Sequence, residues 1–222
     1  MAVDGGDVAK IAEAYDSPSW WYDIRGFGVL TFSYNNSLWR QVKFFGAHFG
    51  PRHLEIACGS GTLLDLVLRY RRLRRMPVVE IVGVDYAPSM LAGAQKRFRN
   101  RSDVRLELCD AARLPFADAS FDSLAIANAL HSIPDAPGAV SESFRVLKPG
   151  GLHAANVLLH PRSIWPLSAI ARRINRWGTK KGILHKVYDV EEAKALYVAA
   201  GFELVKAEIS GNCIYLLAKR PN

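Results

Sequence analysis

His53-Leu54-Glu55-Ile56-Ala57-Cys58-Gly59-Ser60-Gly61-Thr62 begins as an apolar run carrying one acid and passes through a glycine-rich turn. It then enters the helix-like Thr62-Leu63-Leu64-Asp65-Leu66. Gly59 and Gly61 let the backbone turn tightly and approach a ligand with no Cβ in the way. A parallel strand followed by a helix N-terminus is where open α/β sheets place ligands. Alone, the two glycines leave a dinucleotide site and a plain tight turn both open. The first is disfavoured because Cys58-Gly59-Ser60-Gly61-Thr62-Leu63-Leu64 lacks the third glycine of the dinucleotide fingerprint.

Outward from this turn the chain alternates strands and helices. Strands are expected at His53–Ala57, Val78–Val84, Val104–Leu108, Phe121–Asn128 and Gly151–Leu158. Phe202–Ile209 and Ile214–Lys219 read as a closing antiparallel pair joined through Ser210-Gly211-Asn212. Helices are expected at Thr62–Leu73, Pro88–Phe98, Pro137–Leu147 and Val190–Ala200, with Asn36 as the cap of another over Ser37–Phe49. The fold class is therefore α/β, a Rossmann-like, doubly wound, seven-stranded and mostly parallel sheet with an antiparallel last strand.

The 222 residues suit one α/β domain with a full core, and 50% apolar against 23% charged residues is a globular balance. No apolar run approaches the length of a membrane-spanning helix, and the acidic, polar Met1–Asp7 does not read as a signal peptide. Cys58, Cys109 and Cys213 are too far apart for a disulfide framework or a zinc site, which fits a reducing cytoplasm. His131, His153, His160 and His185 lack ligand-like spacing with acids or cysteines, so no metal is expected. The net charge of +8 is concentrated in two places. Arg69 to Arg75 holds five arginines, and Arg162 to Lys181 holds six basic residues and no acid. Such patches favour anionic partners, although a solvated face explains the first as well.

Acids stand at three successive strand ends: Glu55, Asp85 and Asp110. An acid where Asp85 stands, closing the strand after a glycine turn, can accept hydrogen bonds from both ribose hydroxyls. Asp110 is placed to accept from an adenine amino group, with a neighbouring backbone N–H meeting a ring nitrogen. Either acid read singly is also a helix or turn cap.

From about Tyr15 to its C-terminus the chain resembles the class I S-adenosylmethionine-dependent methyltransferases, and most of all the branch of the ubiquinone/menaquinone C-methyltransferases. Four stretches carry the likeness: Leu54–Gly61, Val84–Leu91, Asp110–Asp122 and Phe144–Gly151. The resemblance implies that Gly59 and Gly61 pass beneath the methionine part of the cofactor, that Ala57, where many relatives carry glycine and alanine is common too, belongs to the same cofactor-binding loop, and that Glu55 orients that loop or meets the amino group through water. It further implies Asp85 on the ribose, Tyr86 or Met90 against the adenine, and Asp110 and Ala111 at the adenine edge. Asn128 and Leu130 would face the sulfonium from the end of the fourth strand. The segmentation that follows is a helical aromatic lead-in and substrate cap (1–50), a cofactor-binding core (51–159), a basic amphipathic lid insertion (160–188), and a last helix with the C-terminal strands (189–222), all in one domain.

Such an enzyme moves a methyl group by in-line displacement from S-adenosylmethionine, leaving S-adenosylhomocysteine, and the protein mainly positions and desolvates. A base is needed only where the nucleophile must lose a proton. His131, just past the fourth strand, is the best placed candidate, since histidine titrates near neutrality; a structural histidine at a loop start is the competing reading. Asp16, Tyr22 and Asp23 of the lead-in are further candidates, Tyr22 foremost.

In the lid, Leu167, Ile170, Ile174 and Trp177 are spaced for one helix face, with Arg172, Arg173, Arg176 and Lys180 opposite. This describes either a lid packing its apolar face over the site or an interfacial membrane helix. The expected acceptor is a small hydrophobic molecule, quinone-like or lipid, and the expected location is the cytoplasm, including the inner face of a membrane through residues 162–181. A nucleic-acid methyltransferase is prompted by the charge. It is disfavoured because no RNA-binding module is visible and the fourth strand ends in Asn128-Ala129-Leu130 rather than an Asn-Pro-Pro-Tyr type of motif. A non-catalytic cofactor-binding accessory protein is the reading from another class.

Overall fold

The computed structural model describes residues 36–162 and 165–222. Its elements are α1 (Leu38–Gly46), β1 (Arg52–Ile56), α2 (Thr62–Leu73), β2 (Glu80–Asp85), α3 (Pro88–Phe98), β3 (Val104–Leu108), β4 (Phe121–Ile126), a 3-10 turn (Leu130–Ser132), α4 (Ala136–Val146), β5 (Leu147–Leu158), α5 (Leu167–Lys180), α6 (Val190–Ala199), β6 (Glu203–Ser210) and β7 (Cys213–Lys219). The seven strands lie in the order β3-β2-β1-β4-β5-β7-β6. β7 runs antiparallel to both its neighbours, and the other pairings are parallel. The expected fold is the one observed.

Alternation along the strands distributes the core. Leu54 and Ile56 of β1 and Leu124 and Ile126 of β4 face one way, onto Val140 and Val146 of α4 and Ala193 and Tyr197 of α6. Ala125, Ala154 and Leu217 face the other way, onto Phe45 of α1 and Val67 of α2. Leu64 and Leu68 of α2 meet Ala94 and Phe98 of α3 over Ile81. The chain winds outward from β1 to β3 and then restarts at β4, so the strand order switches between β1 and β4. Ligands of open α/β sheets sit at the carboxyl ends of the strands beside such a switch.

Several boundaries differ from expectation for local reasons. Asn36 does not cap α1: Ser37 holds the N-cap position, and Asn36 Nδ2 donates to Tyr215 Oη instead. β4 stops at Ile126 because Asn128 adopts a left-handed φ of 55°, which ends the extended run. β5 begins at Leu147, directly where α4 ends. The basic Arg69–Arg75 stretch finishes α2, and Arg71 is buried rather than solvated. Its guanidinium donates to the carbonyls of Gly46 and Pro77, at 2.6 and 3.0 Å, and lies over the Phe49 ring.

α5 is present as a helix, and of its expected apolar face Ile174 is half-buried while Ile170 and Trp177 turn outward. Ser168, Ala171 and Gly178 are buried, whereas Ile170 and Trp177 are 42% and 40% exposed. Small side chains let the helix backbone lie close, and this turns the larger apolar residues to the flank. The segment leaves and rejoins the sheet at the carboxyl end of β5, where Leu159 bridges Tyr188.

Candidate active site

The loop between β1 and α2 carries left-handed backbone at Ala57, Gly59 and Gly61, with φ of 55°, 57° and 74°. A Cβ on Gly61 would stand 2.5 Å from Phe98 Cε2, so glycine is required there by packing as well as by conformation. A Cβ on Gly59 would meet nothing within 4 Å. The loop therefore presents bare backbone to open space on that side. Asp85, at the end of β2, fixes the loop from beneath: its Oδ2 accepts from Gly59 N–H at 2.7 Å and its Oδ1 from Ala87 N–H at 2.9 Å. Burial raises its pKa, while the backbone N–H groups of Ala87, Gly59 and Tyr86 favour the charged form. A carboxylate has about four acceptor positions, so capacity is left for a ribose hydroxyl.

Tyr86 is half-buried beyond Asp85, and Met90 is sealed in the interior of α3. Asp110 and Ala111 follow β3, both partly exposed. Asp110 Oδ1 accepts from Ala112 N–H at 2.9 Å, and its carbonyl accepts from Arg113 N–H. The capping reading of Asp110 is thus realised, with the second carboxylate oxygen still available. This set fits an adenosyl group: an acid on the ribose side, an acid and a backbone turn on the base side, and an open glycine backbone between.

Glu55 lies inside the sheet, opposite Gly83 and Ala125. Burial pushes its carboxyl up to about 8. His53 Nε2 stands 3.3 Å from Glu55 Oε2, and His53 Nδ1 stands 2.8 Å from Ser123 Oγ. Burial, with the charge of Arg71 second, holds His53 well below the ordinary imidazole value. With both groups neutral, one hydrogen bond joins the Glu55 carboxyl to Nε2 and a second joins Nδ1 to Ser123 Oγ. Phe49 stacks on the imidazole with ring centroids 3.5 Å apart. His53 was not among the residues expected from sequence.

At the end of β4, Asn128 is held by a chain of amides. Its backbone N–H donates to Asn156 Oδ1 at 2.7 Å, and Asn156 Nδ2 donates back to Asn128 Oδ1 at 2.6 Å. Asn128 Nδ2 then donates to Gln41 Oε1 at 2.7 Å. Gln41 and Asn156 are fully buried, and neither was expected from sequence. The signal was there: each is a lone amide within an apolar face, on α1 and β5 respectively.

Leu130 and His131 follow in the 3-10 turn, both buried. Burial pushes His131 down to about 3, so its imidazole is neutral near pH 7 and a weak base. The His131 carbonyl accepts from the N–H groups of His185 and Lys186 at 2.9 and 3.1 Å, which ties the segment after α5 to the turn after β4. Tyr22, Asp16 and Asp23 lie outside the described residues. Among the described residues, no group of three or more His, Cys, Asp or Glu side chains is arranged to hold a metal.

The chain is similar to known proteins in this core. The family model described as a methyltransferase domain matches residues 54–155. Demethylmenaquinone methyltransferase of Staphylococcus aureus is 30% identical over 154 residues, which are 68% of this chain and 61% of that protein. The chain thus spans less than two thirds of the length of the curated relatives it matches. Phosphoethanolamine N-methyltransferase 2 of Haemonchus contortus, solved with S-adenosylmethionine, superposes with a TM-score of 0.63 at 16% identity, over 82% of this chain and 52% of that one. The [4+2]-cyclase SpnF superposes at 0.64 with 21% identity, over 83% and 80%. Residues 54–155 thus match the methyltransferase-domain model, and the fold is shared with a structure solved with S-adenosylmethionine. One structural neighbour being a cyclase shows that the fold alone does not fix the reaction.

Proposed function

We propose that this protein transfers the methyl group of S-adenosylmethionine to a small, hydrophobic, quinone-type acceptor drawn from an anionic membrane surface. The observation that carries the acceptor is the 30% identity with demethylmenaquinone methyltransferase over 154 residues. When bound, the cofactor supplies an electrophilic methyl on a sulfonium. The chain supplies the rest. Gly59 and Gly61 admit the ligand against the backbone, Asp85 holds the ribose, and Asp110 and Ala111 hold the base. Asn128, fixed by Asn156 and Gln41, sets the wall on which the acceptor is aligned, and alignment is where most of the acceleration in such a displacement arises. A quinol carbon that has just gained a methyl group is strongly acidic until its ring rearomatises. A base as weak as the neutral His131 suffices to take that proton.

The membrane contact rests on α5. Trp165, Ile170 and Trp177 are exposed beside Arg172, Arg173, Arg176 and Lys180. Aromatic and aliphatic anchors among cations suit the interface of an anionic bilayer. No helix of the described residues is long and apolar enough to cross a membrane.

Calorimetric titration with S-adenosylhomocysteine on wild type and Asp85→Ala tests the cofactor site, and turnover of a short-chain demethylmenaquinol tests the acceptor. The expected results are binding that Asp85→Ala weakens about tenfold, which corresponds to about 1.4 kcal/mol, and a methylated quinone product. Tight binding without turnover would discard the quinone and keep the cofactor site. Unchanged binding in Asp85→Ala would remove Asp85 from it.

A further inference from the structure

The amide chain at the end of β4 has a direction, and the direction leaves one donor without an acceptor. A backbone N–H can only donate, so the Asn156 atom 2.7 Å from Asn128 N is its oxygen. Asn156 Nδ2 must then donate to Asn128 Oδ1, which turns Asn128 Nδ2 towards Gln41. Reversing the Gln41 amide would set two NH2 groups against each other, so Gln41 presents Oε1 and its Nε2 is left over. Gln41 Nε2 is buried and has no hydrogen-bond partner, in a residue with no exposed surface. Buried donors almost always find an acceptor, and Gln41 is bonded to Asn128, which the proposed function sets at the wall of the acceptor, so the missing acceptor is one that a ligand would bring.

We propose that Gln41 is a substrate-positioning residue whose Nε2 donates to an oxygen of the methyl acceptor, beside the atom that is methylated. This rests on the reading of the acceptor as a quinol, whose ring oxygens flank the reacting carbon. Gln41 then reads the oxygen, while Asn128 and Asn156 hold Gln41 in the one orientation that offers a donor. The left-handed backbone of Asn128 is kept by the same bonds. An apolar acceptor without such an oxygen would leave the donor unpaired and be rejected.

Gln41→Glu keeps an oxygen for Asn128 Nδ2 and replaces the donor with a carboxyl that donates only while protonated. Kinetics are measured on the full chain with short-chain demethylmenaquinol, and S-adenosylhomocysteine affinity is measured alongside. The expected result is a KM for the quinol about tenfold above wild type at alkaline pH, of the order of one lost hydrogen bond. The variant-to-wild-type ratio returns towards one as pH falls, with S-adenosylhomocysteine affinity unchanged throughout. A merely structural glutamine would give no such pH-dependent ratio confined to the quinol. Gln41→Met, which has no donor, should raise the quinol KM at every pH. Should Gln41→Glu fail to fold, the side-chain amide resonances missing from Gln41→Met identify Gln41 in the wild-type spectrum, and they should shift when quinol joins the S-adenosylhomocysteine complex.

A KM that both variants leave unchanged, or resonances that do not move, would overturn the proposal while the quinone reading stands. Weakened S-adenosylhomocysteine binding with unchanged quinol KM would assign the donor to the cofactor carboxylate and overturn it too. Absence of wild-type turnover alongside intact cofactor binding would overturn the quinone reading, and this proposal with it.

Discussion

His53 and Glu55 face each other inside the sheet, Nε2 to Oε2 at 3.3 Å, and burial keeps both uncharged near pH 7. Their effects on stability have opposite signs. Glu55 titrates at about 8 in the folded chain against an ordinary 4.5. Between those values the folded state holds a proton that the unfolded state has lost, so stability falls as pH rises. His131 and His153 titrate at about 3 folded against 6.5 unfolded, and His53 lies well below 6.5 as well. Below 6.5 the unfolded chain takes up these protons first, so stability rises with pH there. The three histidines outweigh Glu55 up to 6.5, and Glu55 acts without their opposition above it. Thermal melts should therefore show a maximum close to pH 6.5 and a loss of about 2 kcal/mol on going to pH 8. Glu55→Gln should flatten the alkaline limb and steepen the acid limb between about 4.5 and 6.5, where Glu55 opposes the histidines. An alkaline limb as steep in the variant as in wild type would show that Glu55 is not its source.

Ala57 tests the glycine-loop geometry from another side. Its φ of 55° is left-handed, a conformation that costs a residue with a Cβ about 1–2 kcal/mol. Glycine removes that cost and adds about 0.4–1 kcal/mol of unfolded-chain entropy. Ala57→Gly should then be stabilising by about 0.5–1 kcal/mol, raising Tm by roughly 2 °C in a chain of this size. S-adenosylhomocysteine affinity should stay as in wild type. A fall in Tm would mean that the Ala57 methyl, which packs against the central cluster, contributes more than its backbone strain takes away.

What could be read from the sequence was what is local to it. Gly59, Gly61, Asp85 and Asp110 each stand where a strand passes into the turn after it, which residue type and spacing show locally, whereas the bond from Gly59 N–H to Asp85 crosses 26 positions and was not legible. Gln41 and Asn128 meet across 87 positions, and Asn128 and Asn156 across 28; nothing local to any of the three reports the pairing. His53 has the same difficulty, since its partner Ser123 belongs to β4 and its stacking partner Phe49 precedes the sheet. Asn36 looked like a cap because capping chemistry is short-range, but Tyr215, far along the chain, competes for it. The periodicity of α5 gave a helix correctly, but only part of its apolar stripe packs inward, with Ile174 half-buried. Hydrophobic spacing favours Ile170 and Trp177 as the inward face, whereas close approach of the backbone selects Ser168, Ala171 and Gly178.

That outward turn makes the membrane contact of α5 testable. A lid burying its large apolar residues would have no anchor to offer, but Trp165 is 79% exposed, with Ile170 and Trp177 on the outer flank of the helix. No acid occurs between Glu142 and Asp189, so this face has no carboxylate of its own segment to weaken its attraction to anionic lipid. Juxtamembrane basic residues contribute about 1 kcal/mol each near such a surface, and the effect decays within a Debye length. The protein should co-sediment with vesicles rich in anionic phospholipid at low salt and be released as salt rises. It should bind zwitterionic vesicles weakly. Ile170→Glu with Trp177→Glu removes the anchors and adds repulsion, and should lower vesicle partitioning at least tenfold, or about 1.4 kcal/mol. These residues lie away from the buried face of α5, so the variant should keep the wild-type Tm and S-adenosylhomocysteine affinity. Turnover of a water-soluble quinol should likewise persist, while turnover of a long-chain quinol presented in vesicles should fall. If the variant partitions like wild type, or wild type stays in solution with anionic vesicles, α5 is a lid in water and the acceptor must reach the site from solution.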